Sequence, residues 1–405
     1  MFYLENYAKV LLDVGLGLRS NDGILLSFDE VGLPLARIVV REAYRRGAKD
    51  VITIFADDTM NLDRYNFGMD KIFDDMPKFK VDYREQAFLD NYHSLYITSP
   101  NPELLKDVDG DRVARWQKCV SQATEPIQHY QMDNKVKWCV ASVPGPAWAK
   151  KVFPELEKSQ ALEALWNLIF EATRMKEEDP VEAWKRHDVL LKEKEKYLDD
   201  NNFDKILFKG PGTDLEITLV KGHKWIGGSS KLERGDVFMA NIPTEEVFTM
   251  PHAKRVEGIV RATKPLSLQG QLVENFSIEF KEGKVVAFEA EKGREVLEKL
   301  FAMDEGAMRL GEVALVPDDS PISRRGVLFF NTLFDENASC HLALGNAYGE
   351  NLRQAQELSD EEKKKLGMNT SMVHVDFMVG GPELEVLGIK EDGSQVVLLQ
   401  DGNWV

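Results

Sequence analysis

The segment SMVHVDFMVG (Ser371–Gly380) alternates apolar and polar side chains and places His374 two residues before Asp376. In an extended strand that spacing puts both on one face. An imidazole beside a carboxylate can serve as an acid–base pair, ligate a metal, or simply satisfy a buried histidine. A second histidine, His341, lies in SCHLALGNAYGEN with Tyr348 seven residues on. Seven residues make about two helical turns, so the two could share a helix face. Gly345 and Asn346 between them allow a bent or looped path equally well.

Two further segments set acids beside strand-like runs. NIPTEEVFTMP (Asn241–Pro251) carries Glu245 and Glu246 in succession, and in an extended chain only one of them faces a given side. LGEVALVP (Leu310–Pro317) sets Glu312 at the head of an apolar run, where an ionised carboxylate is costly to bury unpaired. Each acid alone would also suit an exposed strand end. Together, Glu246, Glu312, His341, His374 and Asp376 supply three carboxylates and two imidazoles. That mixed set suits borderline divalent ions such as zinc, cobalt or manganese. It also suits two ions about 3.5–4 Å apart with one carboxylate bridging them. Cations of that kind would stabilise a buried Asp376 and orient the imidazole beside it.

Of the other five histidines, His93, His129, His187 and His223 have no comparable company and read as surface or satisfied core residues; His252, in TMPHAKRVEG, stands apart because of its neighbours and stays open. Cys340 adjoins His341, but sequence neighbours rarely form a nucleophile–base pair, and a small buried apolar role fits it better. GLGLRS (Gly15–Ser20) lacks the third glycine of a dinucleotide fingerprint and precedes the first strand, so it reads as a turn. DVDGDR (Asp107–Arg112) resembles a calcium loop only superficially. Its glycine comes too early and Lys118 stands where the closing glutamate belongs, which leaves a solvated turn.

These residues need elements to position them. GILLSF (Gly23–Phe28) and DVITIFA (Asp50–Ala56) read as strands, with LPLARIVVREAYRRG (Leu33–Gly47) as the helix between them. Strand, helix and strand with short links imply parallel pairing. KWCVASVP (Lys137–Pro144) reads as a later strand of that sheet, with a helix around Ala161–Met175. Pro180–Phe203 reads as a long amphipathic helix leading out of the first domain. Beyond it, short β-rich runs such as LEITLVKG, FSIEFKEGKVVAFEA and GEVALVP predominate. The expectation is an α/β N-terminal domain with a largely parallel sheet over residues 1–200. An α+β C-terminal metal-binding and catalytic domain, rich in antiparallel sheet, is expected over 201–405.

The chain has 405 residues, 43% hydrophobic and 29% charged, and a formal net charge of −17 from 51 basic and 68 acidic groups. That balance argues against a nucleic-acid or anionic-membrane partner, which requires a concentrated basic footprint. No stretch approaches the roughly 18 apolar residues of a spanning helix. The start, MFYLENYAKVLLD, lacks the basic and apolar regions of a signal peptide. Three cysteines without paired spacing do not suggest a disulfide framework. A soluble cytoplasmic protein is the expectation.

In that order and with compatible intervals, NIPTEEVFTMPH, GEVALVP, HLALGNAY and HVDFMVG resemble the thermophilic aminopeptidase family of aminopeptidases T and S. KGPGTDLEI, EGIVRAT and YAKVLLDVGLGLRSNDGILL extend the likeness across essentially the whole chain. The resemblance implies a metallo-aminopeptidase that releases N-terminal residues from short peptides by way of a water activated by two divalent ions, zinc, cobalt, manganese or magnesium. It implies Glu246, Glu312, His341, His374 and Asp376 as ligands, with Tyr348 at or beside the metals. It also implies a homodimer with the active site in a large internal cavity. The chemistry is self-consistent: Glu312 could bridge and Tyr348 could donate to a developing oxyanion, while the general base stays open between Glu312 and Glu245.

Two other readings compete. His341, His374 and Asp376 around one Fe(II) would form the facial triad of a ring-cleaving dioxygenase, although Glu246 and Glu312 are then surplus. A non-catalytic, metal-stabilised binding protein would require a closed coordination shell.

Overall fold

A computed structural model describes residues 2–268 and 271–405 of the chain. They form two compact units, Met1–His187 with Ser229–Pro243, and Asp188–Gly228 with Thr244–Val405.

The first unit is built on a parallel sheet. Strands β1 (Gly23–Asp29), β2 (Asp50–Ala56), β3 (Tyr92–Thr98) and β4 (Trp138–Ser142) take the order β4-β3-β1-β2, and the short strand Asn241–Ile242 adds beside β4. Helix α1 (Leu33–Arg45) makes the expected crossover from β1 to β2. Pro34 falls in its first turn, where no backbone donor is lost, and Leu35, Ala36, Val39 and Ala43 form its buried face. Asp107–Arg112 is more than a turn: the Asp109 side chain accepts from the Asp111 N–H and caps helix α2 (Gly110–Met132). His93 is absorbed into a buried network, its Nδ1 accepting from the Lys137 N–H at 3.3 Å while Lys137 Nζ pairs with Asp22 at 2.5 Å.

Helix α3 (Pro180–Asn201) carries the chain into the second unit. There a nine-stranded sheet and a five-stranded sheet share one apolar core. The nine-stranded sheet runs Leu266–Leu268, Gln271–Lys281, Pro251–Arg261, Thr213–Leu219, Lys205–Gly210, Glu385–Ile389, Gln395–Gln400 and Asn403–Trp404, with Lys284–Lys292 added to Gln271–Lys281. The smaller sheet holds the predicted site residues. Its strands are β5 (Ile226–Gly227), β6 (Val247–Thr249), β7 (Leu310–Leu315), β8 (His341–Gly345) and β9 (His374–Met378). They lie in the order β9-β8-β7-β6-β5 with every neighbour antiparallel.

The register of this sheet sorts its side chains. His341 lies opposite Met378, Ala343 opposite Asp376 and Gly345 opposite His374; on the other side, Glu312 faces Ala343 and Ala314 faces His341. Leu342, Leu344, Val375 and Phe377 alternate with them and enter the shared core together with Leu310, Val313 and Leu315. Period-two alternation alone would put Leu310 and Glu312 on one face. A β-bulge at Gly311 interrupts it, sending Leu310 to the core and Glu312 to the opposite face. A Cβ at Gly311 would stand 2.3 Å from the Gly345 carbonyl oxygen, so only glycine fits there.

Candidate metal centre

The non-core face of the small sheet gathers all five predicted ligands. Glu312 projects from β7, His341 from β8, and His374 and Asp376 from β9, while Glu246 stands immediately before β6. The residues between them are small: Ala343 separates Glu312 from Asp376 across the strands, with Ala314 and Gly345 alongside. That leaves room above the sheet for the longer side chains to converge.

They converge as two overlapping triads. One ligand atom from each of Glu246, Glu312 and His341 lies within 4.8 Å of the other two, and the same holds for one atom from each of Glu312, His374 and Asp376. Glu312 belongs to both. His341 Nε2 lies 3.1 Å from Glu246 Oε2 and 3.3 Å from Glu312 Oε1. His374 Nε2 lies 3.2 Å from Asp376 Oδ1 and 3.8 Å from Glu312 Oε2.

The far side of each ring fixes its tautomer. His341 Nδ1 lies 3.1 Å from the Ser339 carbonyl oxygen, and His374 Nδ1 lies 2.7 Å from that of Asn346. A carbonyl oxygen only accepts, so each Nδ1 carries a hydrogen and each Nε2 is the nitrogen turned to the carboxylates, a donor to them when protonated and a ligating atom when not. This is the arrangement of metal-binding imidazoles, oriented by a bond from the opposite ring nitrogen.

The electrostatics match that reading. Glu246, Glu312 and His341 are buried and His374 and Asp376 nearly so, yet the partners of these five side chains are one another and backbone carbonyls. No lysine or arginine pairs with any of them among the described residues. Burial pushes Glu312 above the usual carboxylate range, against the bond from His341. Burial opposes charge on His341, but its bonds to Glu246 and Glu312 outweigh that and raise its pKa well above the ordinary value. His374 behaves alike, burial being overcome by Asp376 and then Glu312, and is pushed up to about 10. Asp376 is held low by His374 despite burial. Three carboxylates in one dry site need a compensating charge. Protons can supply it through the imidazoles; divalent cations supply it with ligand geometry already in place. The residues present therefore fit a metal pair.

Tyr348 does not share a helix face with His341. His341 begins strand β8, and Tyr348 lies three residues beyond its end, where the chain bends away through Gly345 at φ +107°. The bend still brings Tyr348 to the site: its ring lies 4.8 Å from that of His374 and 6.0 Å from that of Phe248. Burial, followed by the charge of Glu312 and Asp376, raises its phenol well above the ordinary pKa, which keeps it protonated and able to donate. Glu245 belongs to neither triad; its backbone N–H donates to Asn337 Oδ1 at 2.7 Å.

One residue escaped the sequence reading. Glu336, in the short turn before β8, is influenced by Glu246, Asp376, His341 and Glu312, and burial followed by that negative charge raises its pKa well above the ordinary range. Its only sequence signal is a position five residues before His341. Asn337 Nδ2 donates to its Oε1 at 3.3 Å. Elsewhere, His223 is taken up by a bond from its Nδ1 to the Val220 carbonyl at 2.9 Å.

A family model described as thermophilic metalloprotease (M29) matches residues 2–404. The chain is 41% identical over 402 residues to aminopeptidase T of Thermus aquaticus, covering 99% of this chain and 98% of that one. It is 40% identical over 401 residues to aminopeptidase AmpS of Bacillus subtilis (strain 168), again covering 99% and 98%. The solved structure of wild-type AmpT from Thermus thermophilus matches with a TM-score of 0.93 at 39% identity, covering 100% of this chain and 99% of that one. A 2,5-dihydroxypyridine dioxygenase from Pseudomonas putida KT2440 matches with a TM-score of 0.56 at 10% identity, covering 100% and 96%, which is a likeness of fold alone.

Proposed function

The chain belongs to the thermophilic metalloprotease (M29) family and is a metallo-aminopeptidase, and from that premise we propose that Glu246, Glu312 and His341 hold one divalent ion while Glu312, His374 and Asp376 hold a second. The observation that carries this reading is the sharing of Glu312 between two triads whose imidazoles are both tied by Nδ1 to backbone carbonyls. Bound there, divalent ions would supply a water of lowered pKa, polarisation of the scissile carbonyl and a position for the free α-amine. Recognition of that amine accounts for release of single N-terminal residues, because an internal residue presents none.

The chain's own groups do the rest. Glu312 holds both halves of the site in register through its two oxygens. The Nδ1 bonds prevent either imidazole from rotating its Nε2 away. The Tyr348 hydroxyl donates to the oxygen that gains charge as the carbonyl becomes tetrahedral. Glu336, which feels the charge of Glu246, Asp376, His341 and Glu312 without belonging to either triad, is the group we assign to take a proton from the water and return it to the leaving amine.

Oxygen and nitrogen donors favour zinc, cobalt or manganese, with magnesium less well matched to imidazole. Three free cysteines suit the reducing cytoplasm, and no described helix is long and apolar enough to cross a membrane. A homodimer is part of the same proposal on the family resemblance alone. The mononuclear iron reading leaves Glu246 without a role. The test is release of free amino acid from a short peptide before and after chelation. Activity should vanish with chelator and return with zinc or cobalt; cleavage that persists in metal-free protein would overturn the reading.

A further inference from the structure

A half-buried lysine stands near the candidate site without a counter-ion. Lys264 follows the strand Pro251–Arg261 and lines a cavity of about 630 Å³ in the second unit, together with Arg261, Thr263, Ser323 and Gly380. Among the described residues its ammonium makes neither a hydrogen bond nor an ion pair. The acids that bear on it are Asp335 and Asp318, and both are already engaged. Asp335 accepts from the backbone N–H groups of Phe329 at 2.7 Å and Asn331 at 3.0 Å, and Asp318 accepts from the Ser323 hydroxyl at 3.0 Å. An ammonium partly withdrawn from water with no acceptor of its own is costly, and burial depresses the Lys264 pKa accordingly.

Its place in the fold connects it with the metal face. The Thr263 N–H donates to the Met378 carbonyl at 2.9 Å and its hydroxyl to that of Gly380 at 2.7 Å. Met378 lies directly opposite His341 in the β8–β9 ladder. Cα atoms directly opposite in such a ladder are at most about 5.5 Å apart, so the Lys264 backbone lies within about 15 Å of His341. Extended peptide covers about 3.3–3.6 Å per residue, so four or five residues span that distance, and fewer suffice where the lysine side chain reaches toward the peptide.

We propose that this cavity takes the downstream end of the peptide substrate, with the Lys264 ammonium pairing with the C-terminal carboxylate. The inference rests on the aminopeptidase reading above. A peptide anchored by its amine at the ligands and by its carboxylate at Lys264 is measured from both ends, so tri- to pentapeptides with free carboxylates are the favoured class. Asp318 and Glu383 also line the cavity and disfavour a carboxylate beside themselves; Arg261 is the other cation in the lining, and the Lys264→Met comparison separates its contribution from the lysine's.

The experiment compares a tetrapeptide as free acid and as C-terminal amide, in wild-type protein and in Lys264→Met and Lys264→Arg. Wild type should show a KM about tenfold higher for the amide, the scale of one charge-assisted contact. Lys264→Met should raise KM for the acid to match the amide with kcat little changed, and Lys264→Arg should restore most of the preference. Equal KM values for acid and amide in wild type, or a preference that survives Lys264→Met, would overturn the inference while leaving the aminopeptidase intact. If neither peptide is cleaved, it is the aminopeptidase reading that fails. Calorimetric binding of the same two peptides to metal-free protein then decides the inference alone: a tighter acid that loses its advantage in Lys264→Met supports it, and equal binding refutes it.

Discussion

On one face of the five-stranded sheet Leu310, Val313, Leu342, Leu344 and Phe377 pack into the shared core; on the other Glu312, His341, His374 and Asp376 crowd together over Ala314, Ala343 and Gly345. Residues adjacent in sequence, such as His341 and Leu342, serve opposite ends. The apolar face gains free energy by leaving water, on the order of 1.5–3 kcal/mol for each large side chain. The polar face loses it, because buried like charges repel and are poorly solvated. The comparison teaches that the first face holds the second in a geometry it would not choose, and that the two should fail in different ways when altered.

The largest effect is expected at the shared carboxylate. Glu312→Gln should lower kcat about 1,000-fold or more, about 4 kcal/mol of transition-state stabilisation. Metal-free Glu312→Gln should melt no earlier than metal-free wild type, since one of the repelling charges is gone. Near-normal turnover would remove Glu312 from the centre. Its counterpart on the other face is Leu342→Ala, which should cost about 2–5 kcal/mol of folding stability by denaturant titration. The folded fraction of that variant should still carry its metal; loss of metal without loss of stability would show that the faces do not divide the labour.

A smaller change is expected from Tyr348→Phe, about 100-fold in kcat, the lower end for removal of one oxyanion donor. Metal content should be unchanged, and its loss would make Tyr348 a ligand instead. The mildest effect is one of pH. His374 is pushed up to about 10 from an ordinary 6.5, so in metal-free protein it contributes stability that is complete below about 6.5 and lost as pH rises through 10. The melting temperature of chelated protein should therefore fall relative to the zinc-loaded form between about pH 7 and pH 10. Parallel profiles would mean that the imidazole carries no such proton.

Much of this was legible in the residues. The β2 strand at Asp50–Ala56 and the shared face of His374 and Asp376 both follow from local chain chemistry, one from β-branched content and the other from period two. What escaped depended on distant backbone. The bulge that turns Glu312 away from Leu310 exists because Gly311 sits against the Gly345 and Asn346 carbonyls, contacts across strands that no window of sequence contains. Spacing left Tyr348 open between a helix face shared with His341 and a bent path; the bent path holds, and its partners in the fold are a strand histidine and Phe248. Helix α2 was hidden because Pro126 lies inside it and only Val113, Thr124 and Ile127 are buried along its length. Glu336 carries no local pattern at all; only the fold brings it near enough to Glu246, Asp376, His341 and Glu312 to feel their charge.

The most direct test of the central claim is metal stoichiometry by native mass spectrometry, in zinc-loaded wild type and in Glu312→Gln. The account predicts two ions per chain in wild type and fewer than two in the variant. One tightly held ion in wild type, unaffected by Glu312→Gln, would contradict a shared bridging carboxylate and with it the two-ion centre.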